Sequence, residues 1–276
     1  MSVWFITGAS RGLGAQIVRE ALAAGHQVVA GARNPQHVAE QFGPSDALLP
    51  VALDVTDPGQ VAAAVKRARE GFERIDVLVN NAGFSVLGAV EEISDAEALA
   101  MFEVNVFGVH RVTRAVLPTM REQRSGRIIN IGSVGGFAAV ASSGLYGATK
   151  FALEAISEAL DLEARDLGIY TTVIEPGAFR TDFLTPQSMR LAATVIDDYA
   201  ATAGAARTAF STANGQQPGD PAKAARAILT LTDLEDPPIR LQLGSDSIAR
   251  VQGKLARVAD DLARWRHLGE ATNFEA

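Results

Sequence analysis

Apolar runs rich in β-branched residues recur along the chain at Val3–Thr7, Gln27–Ala32, Leu48–Leu53, Asp76–Asn80, Arg127–Ser133, Ile169–Glu175 and Ile239–Gly244, with helical stretches between them. Such runs carry little polar alternation, so each suits a strand buried on both faces, and the intervening lengths suit helical crossovers. The expected fold is α/β: a doubly wound parallel sheet of about seven strands with helices on both faces. After the first run, Leu13, Ile17, Ala21 and Leu22 form an apolar helix stripe, and Asp57 reads as the cap of a helix through Val61, Val65 and Phe72.

No linker, charge block or internal repeat divides the chain, so residues 1–276 are read as one domain. The segment from Phe183 to Gly219, rich in Ala, Thr and Ser, breaks the strand–helix rhythm over about 35 residues, too long for an ordinary connection. It is expected to be a mobile substrate lid carrying short helices. Near the end, Ile248, Val251, Leu255, Val258, Leu262 and Trp265 recur every three or four residues, which predicts a helix over about 245–267. Spanning under three heptads, that stripe is expected to pack on the chain's own sheet rather than in a coiled coil.

Composition removes several functions. The chain has no cysteine, hence no disulfide, thiolate nucleophile or sulfur-bound zinc, and its four histidines are scattered without metal-site spacing. With 25 Lys plus Arg against 32 Asp plus Glu, the net charge of −7 repels a polyanion, so no nucleic-acid partner is expected. No stretch reaches the ~18 apolar residues of a membrane helix, and no basic leader precedes one, so a cytoplasmic protein without a membrane partner is expected.

Directly after the first predicted strand comes Thr7-Gly8-Ala9-Ser10-Arg11-Gly12-Leu13-Gly14, opening the first helix. Glycines there permit a tight turn and bring backbone N–H groups and a helix N-terminus toward a pyrophosphate, although a structural turn has the same composition. An Asp or Glu at the end of the second strand commonly holds a ribose 2′-hydroxyl; this chain has Ala32 and Arg33 instead. Arg33, with Arg11 inside the glycine loop, suits a 2′-phosphate, so NADP(H) is expected over NAD(H), solvated surface arginines being the plainer alternative.

Tyr146 and Lys150 lie four apart at the start of a predicted Ala-rich helix, on one face. A neighbouring ammonium favours a phenolate, so a lowered Tyr146 pKa and a general acid/base role are expected. Ser133 ends the fifth strand at the carboxyl edge, where open α/β sheets bind ligands, though a turn serine fits the same place.

The glycine loop, Asn80-Asn81-Ala82-Gly83, Ser133, Tyr146 and Lys150 stand in an order that resembles the short-chain dehydrogenase/reductase family, over residues 3 to about 181. The resemblance implies a Rossmann-type domain in which Tyr146 exchanges the carbonyl proton, Lys150 lowers its pKa and holds the nicotinamide ribose, and Ser133 orients the substrate. It also implies that Asn105 is a fourth catalytic residue, holding a water relay to the lysine. Asp54 and Val55 match the pair at the adenine, Asn81, Ala82 and Gly83 the segment at the adenine ribose, and Pro176, Gly177 and Thr181 the turn that holds the carboxamide. With Gly8, Ser10, Arg11, Gly12, Leu13, Gly14 and Arg33, these form the expected cofactor site.

The leading expectation is an NADPH-dependent carbonyl reductase, reversible as an alcohol dehydrogenase. Ser85, Val86, Val134, Phe183, Leu184 and Met189 are expected to line a pocket for a bulky hydrophobic ketone or aldehyde. The alternatives are a non-catalytic NADPH-binding regulator and an epimerase or dehydratase with tightly held cofactor. The family resemblance further implies a homodimer or homotetramer through helices around 96–121 and 145–167.

Overall fold

The computed structural model describes residues 1–274. Its elements run β1 Val3–Thr7, α1 Gly12–Ala23, β2 Gln27–Ala32, α2 Pro35–Phe42, β3 Leu48–Ala52, α3 Pro58–Phe72, β4 Val77–Asn80, β5 Ser85–Leu87, α4 Asp95–Phe102, α5 Val109–Gln123, β6 Gly126–Ile131, α6 Gly144–Ala164, β7 Ile169–Pro176, β8 Met189–Leu191, α7 Ala205–Thr212, α8 Pro221–Thr232, β9 Arg240–Leu243 and α9 Ser245–Glu270. Seven of the strands form one parallel sheet in the order β3-β2-β1-β4-β6-β7-β9. The chain winds outward from β1 to β3, then crosses back to start again at β4, so the order reverses between β1 and β4. At that point the carboxyl ends of the strands open a crevice.

All five residues of β1 are buried, and their alternation splits the core in two. Trp4 and Ile6 pack with Ile17 and Val18 of α1, Val38 of α2 and Ile228 of α8. Val3 and Phe5 face the other way, onto Val61 and Val65 of α3, Val112 and Val116 of α5 and Leu160 of α6. The expected Asp57 cap is present: its carboxylate accepts from the backbone N–H of Gly59 and Gln60.

Two expectations meet a different outcome. The 183–219 segment does carry short helices, but it also contributes β8, which pairs with β5 as a separate parallel ribbon, Ser85 opposite Met189 and Leu87 opposite Leu191. Buried Glu92 closes the segment on the body, accepting from the backbone N–H of Ala89 and Ile196 and from Arg207 at 2.8 Å. The terminal helix runs to Glu270, and its stripe does not lie on the sheet: beyond Val251 no α9 side chain is buried. Only the first turns of α9 dock, through Ser247, whose hydroxyl donates to the Glu175 carbonyl, and Val251. Among the described residues no helix is long and apolar enough to cross a membrane, and no group of three His, Cys, Asp or Glu could hold a metal.

Candidate active site

The crevice opens into a cavity of about 1060 Å³. Its floor is the glycine loop. Gly8 and Gly12 have φ of +64° and +56°, a left-handed backbone that side chains disfavour, and they turn the chain from β1 into α1. Gly14 lies outside the cavity wall; a Cβ there would stand 2.4 Å from the Gly8 carbonyl oxygen, so its role is to let helix and loop touch. Asn81 fastens the loop from the far side: its amide donates to the carbonyls of Thr7 and Gly8, both at 3.0 Å. Helix α1 begins at Arg11 with no side-chain cap and no acidic residue in its first turn, leaving its N-terminal N–H groups for an anion.

Around this floor the cavity is lined by Ser10, Leu13, Asp54, Val55, Ala82, Gly83, Pro176, Gly177 and Thr181, with Arg33 exposed at the mouth. Arg11 also lines the cavity but turns away from Arg33. Its guanidinium donates to the Gln187 carbonyl at 3.2 Å and the Ser188 hydroxyl at 2.8 Å, pinning the glycine loop to the closed segment. Both arginines thus line the cavity, Arg11 engaged with the closed segment and Arg33 exposed at the mouth.

Ser133, Tyr146 and Lys150 meet at the other end of the cavity. Ser133, in extended backbone after β6, accepts from Gly135 N–H at 3.0 Å. The Val134–Gly136 turn comes so close to α6 that a Cβ on Gly136 would stand 2.8 Å from that of Lys150. This contact sets the serine over the first turn of the helix. Lys150 donates to the Ile131 carbonyl at 2.7 Å, and its Nζ lies 5.9 Å from the centre of the Tyr146 ring.

The electrostatics differ from the sequence expectation. Burial pushes the Tyr146 phenol up to about 12, opposed only in part by the Ser133 hydroxyl, and pushes Lys150 down to about 8, opposed by the Glu154 carboxylate one turn along the helix. Desolvation of the phenol is the larger cause, and the Ser133 hydrogen bond offsets only part of it. Tyr146 is therefore a protonated phenol near neutral pH.

Asn105 sits in a π-helical turn, Glu103–Gly108, between α4 and α5, fully buried and behind the cavity wall. Its side chain accepts from Phe84 N–H at 3.1 Å and donates to the Phe84 carbonyl at 2.8 Å and the Thr149 hydroxyl at 3.1 Å. Gly83 lies between it and the lysine: a Cβ there would stand 3.1 Å from Asn105 Oδ1 and 3.8 Å from Lys150 Nζ.

Of the expected pocket residues, Ser85, Val134, Phe183, Leu184 and Met189 line the cavity, and the Phe183 ring centre lies 5.9 Å from that of Tyr146. Val86 does not. It faces the opposite side of β5 and packs with Met101 and Ala192, because successive strand residues point to opposite faces. Sequence reasoning missed Phe179, Gln217, Asp246 and Arg250, which also line the cavity. Gln217 is buried with both amide atoms unpartnered, and no sequence motif marks it.

Beneath Lys150 lies a buried acidic pair that sequence reasoning also missed. Glu154 on α6 accepts from Arg240 Nε at 2.8 Å, Glu175 at the end of β7 lies 3.6 Å from the same nitrogen, and Arg240 also bonds Glu158. Burial and their mutual repulsion raise Glu154 to about 7, and burial raises Glu175.

A family model described as short chain dehydrogenase matches residues 2–191. The chain belongs to the short-chain dehydrogenase/reductase family. It is 41% identical over 275 residues to oxidoreductase BOA17 of Botryotinia fuckeliana, covering 98% of each chain. It is 35% identical over 240 residues to 3-ketodihydrosphingosine reductase of Bacteroides thetaiotaomicron, covering 87% of this chain and 86% of the relative. A short-chain dehydrogenase structure from Streptomyces avermitilis superposes with a TM-score of 0.91 at 39% identity over 99% of both chains. A serine dehydrogenase solved with NADP+ superposes at 0.74 with 28% identity, over 87% of this chain and 94% of that one. This short-chain dehydrogenase is thus an oxidoreductase of a family whose solved members bind NAD(P)(H), on a Rossmann-type fold.

Proposed function

We propose that the protein is a cytoplasmic NADPH-dependent carbonyl reductase, reversible as an alcohol dehydrogenase, acting on a bulky hydrophobic ketone or aldehyde. The observation that carries this reading is the meeting of Ser133, Tyr146 and Lys150 in the cavity that the glycine loop floors. The left-handed glycines, the uncapped start of α1 and the free Arg33 fit a dinucleotide with a 2′-phosphate. Asp54 and Val55 would flank its adenine, Asn81, Ala82 and Gly83 its adenine ribose, and Pro176, Gly177 and Thr181 its carboxamide. NADPH supplies the hydride when bound.

The protein's own share is proton delivery and alignment. With its pKa raised to about 12, Tyr146 holds a proton to give to a developing alkoxide, and Ser133 supplies a second donor toward the same oxygen. Lys150 keeps its ammonium below about pH 8, where it would hold the nicotinamide ribose, and Asn105 fixes the Phe84 backbone beside it. The wall contributed by Phe84, Leu87, Val134, Phe183, Leu184, Met189 and Phe210 favours an apolar substrate over a sugar or a charged acid. The 3-keto lipid substrate in the name of the Bacteroides relative is of that kind.

The test is loss of reduced-nicotinamide absorbance when the protein meets aryl ketones, keto esters and long-chain 3-keto compounds with NADPH, and with NADH in parallel. Oxidation of NADPH supports the reductase. Tight NADPH binding without turnover on any of them would favour the regulatory protein.

A further inference from the structure

Helix α9 is an arm. Lys254 is half-buried, and every other residue from Gln252 to Glu270 is exposed, yet the apolar stripe continues outward. Ile248, Leu255, Val258, Leu262 and Trp265 are each between 47% and 69% exposed. Apolar residues in register on a formed helix are expected to be covered. A lipid surface suits them poorly: Asp260, Asp261 and Glu270 interrupt the basic residues of the helix, and the chain's net charge of −7 is repelled by anionic headgroups.

The order of the stripe identifies a better occupant. Positions 248, 251, 255, 258, 262 and 265 are spaced 3, 4, 3, 4 and 3, a pattern that reads the same from either end. Laid antiparallel on a second copy, with the two-fold axis between residues 256 and 257, Ile248 faces the partner's Trp265. Leu255 then faces the partner's Val258, while the 251/262 layer falls where Val251 is already docked on its own body, so that the partner's Leu262 closes over the edge of that dock. If the stripe takes the a and d positions of a heptad, Lys254 and Asp261 take successive g positions. In an antiparallel pair the g positions flank one another, so Lys254 meets the partner's Asp261 and symmetry repeats the attraction. A parallel pair would leave Lys254 beside the partner's Ala259.

We propose that α9 is a homotypic docking arm, which pairs antiparallel with α9 of a second copy of this chain. The 18 residues from Ile248 to Trp265 span about 25 Å, so the pairing holds two bodies apart at opposite ends of the helix pair. The helix is already formed and anchored through Ser247 and Val251, so little ordering remains to oppose association. The surface is distinct from the helices through which the family resemblance implies oligomers.

The absence of native cysteine makes the test clean. Under mild oxidation the double variant Ile248→Cys/Trp265→Cys should form a covalent dimer, while Trp265→Cys alone should stay uncrosslinked. In sedimentation equilibrium, Lys254→Glu and Asp261→Lys should each weaken one step of assembly by about tenfold, and the two together should restore it. Circular dichroism confirms that each variant is folded. Efficient crosslinking of Trp265→Cys alone would mean a parallel pair and overturn the proposal. So would an assembly indifferent to both charge reversals, or α9-dependent binding to anionic vesicles by a protein that does not self-associate through this helix.

Discussion

Replacing Glu154 by Gln should flatten the acid side of the protein's stability profile. Folding raises the proton affinity of Glu154, so the sign is fixed. Below its ordinary value of 4.5 both states hold the proton; between 4.5 and about 7 the unfolded chain releases it while the folded chain keeps it. The native state therefore loses this contribution as pH climbs through that interval. At ~1.4 kcal/mol for each tenfold change in proton affinity the interval bounds the effect at about 3 kcal/mol. Water reaching Arg240 past the half-exposed Glu158 leaves roughly 2 kcal/mol as the expected part. Gln keeps the shape of the protonated acid, so the variant should be close to wild type near pH 5 and gain about 2 kcal/mol relative to it by pH 8. Urea unfolding at several pH values, followed by the fluorescence of fully buried Trp4, measures this. Parallel stability curves for the two proteins across the interval would refute the buried, proton-sharing pair.

Gly14→Ala should cost about 2 kcal/mol and weaken dinucleotide binding, since its Cβ would stand 2.4 Å from the Gly8 carbonyl; thermal melts and NADPH titration read both effects. Arg33→Asp should weaken NADPH at least about tenfold while sparing NADH, by exchanging a phosphate partner for a repelling charge; equal losses for both would remove the 2′-phosphate assignment. Arg207→Met should leave the buried Glu92 carboxylate with only backbone partners and loosen the 183–219 segment, seen as faster limited proteolysis there and unchanged cleavage elsewhere. The reduction rate should fall as pH rises through about 8, where Lys150 loses its charge, and Lys150→Arg should move that fall to higher pH.

The sheet was legible because each strand is a run apolar on both faces, a pattern few other elements share. The edges of the site were less so. Val86 escapes sequence reading because β5 is three residues long, too short for alternation to announce a strand. The α9 stripe does not reach the sheet; an amphipathic period says that a face is covered, not by what. Arg11 occupies the expected position, but its long side chain is claimed by Gln187 and Ser188, residues 176 and 177 positions away. Spacing alone marks Tyr146 and Lys150, yet it predicts a lowered phenol pKa where burial raises it. The spacing shows the neighbouring charge and hides the desolvation, which comes from tertiary neighbours such as Phe183 and the cluster of Val86, Met101 and Ala192. Glu154, Glu175 and Arg240 come from three elements, and no local pattern joins them.

In the proposed mechanism Tyr146 gives the proton while the rest of the cavity holds the cofactor. Tyr146→Phe tests it most directly, with NADPH affinity measured by fluorescence titration and turnover on the best carbonyl substrate measured on the same preparation. NADPH binding should stay within about twofold of wild type while turnover falls at least about a thousandfold. Turnover close to that of wild type in this variant would contradict that mechanism.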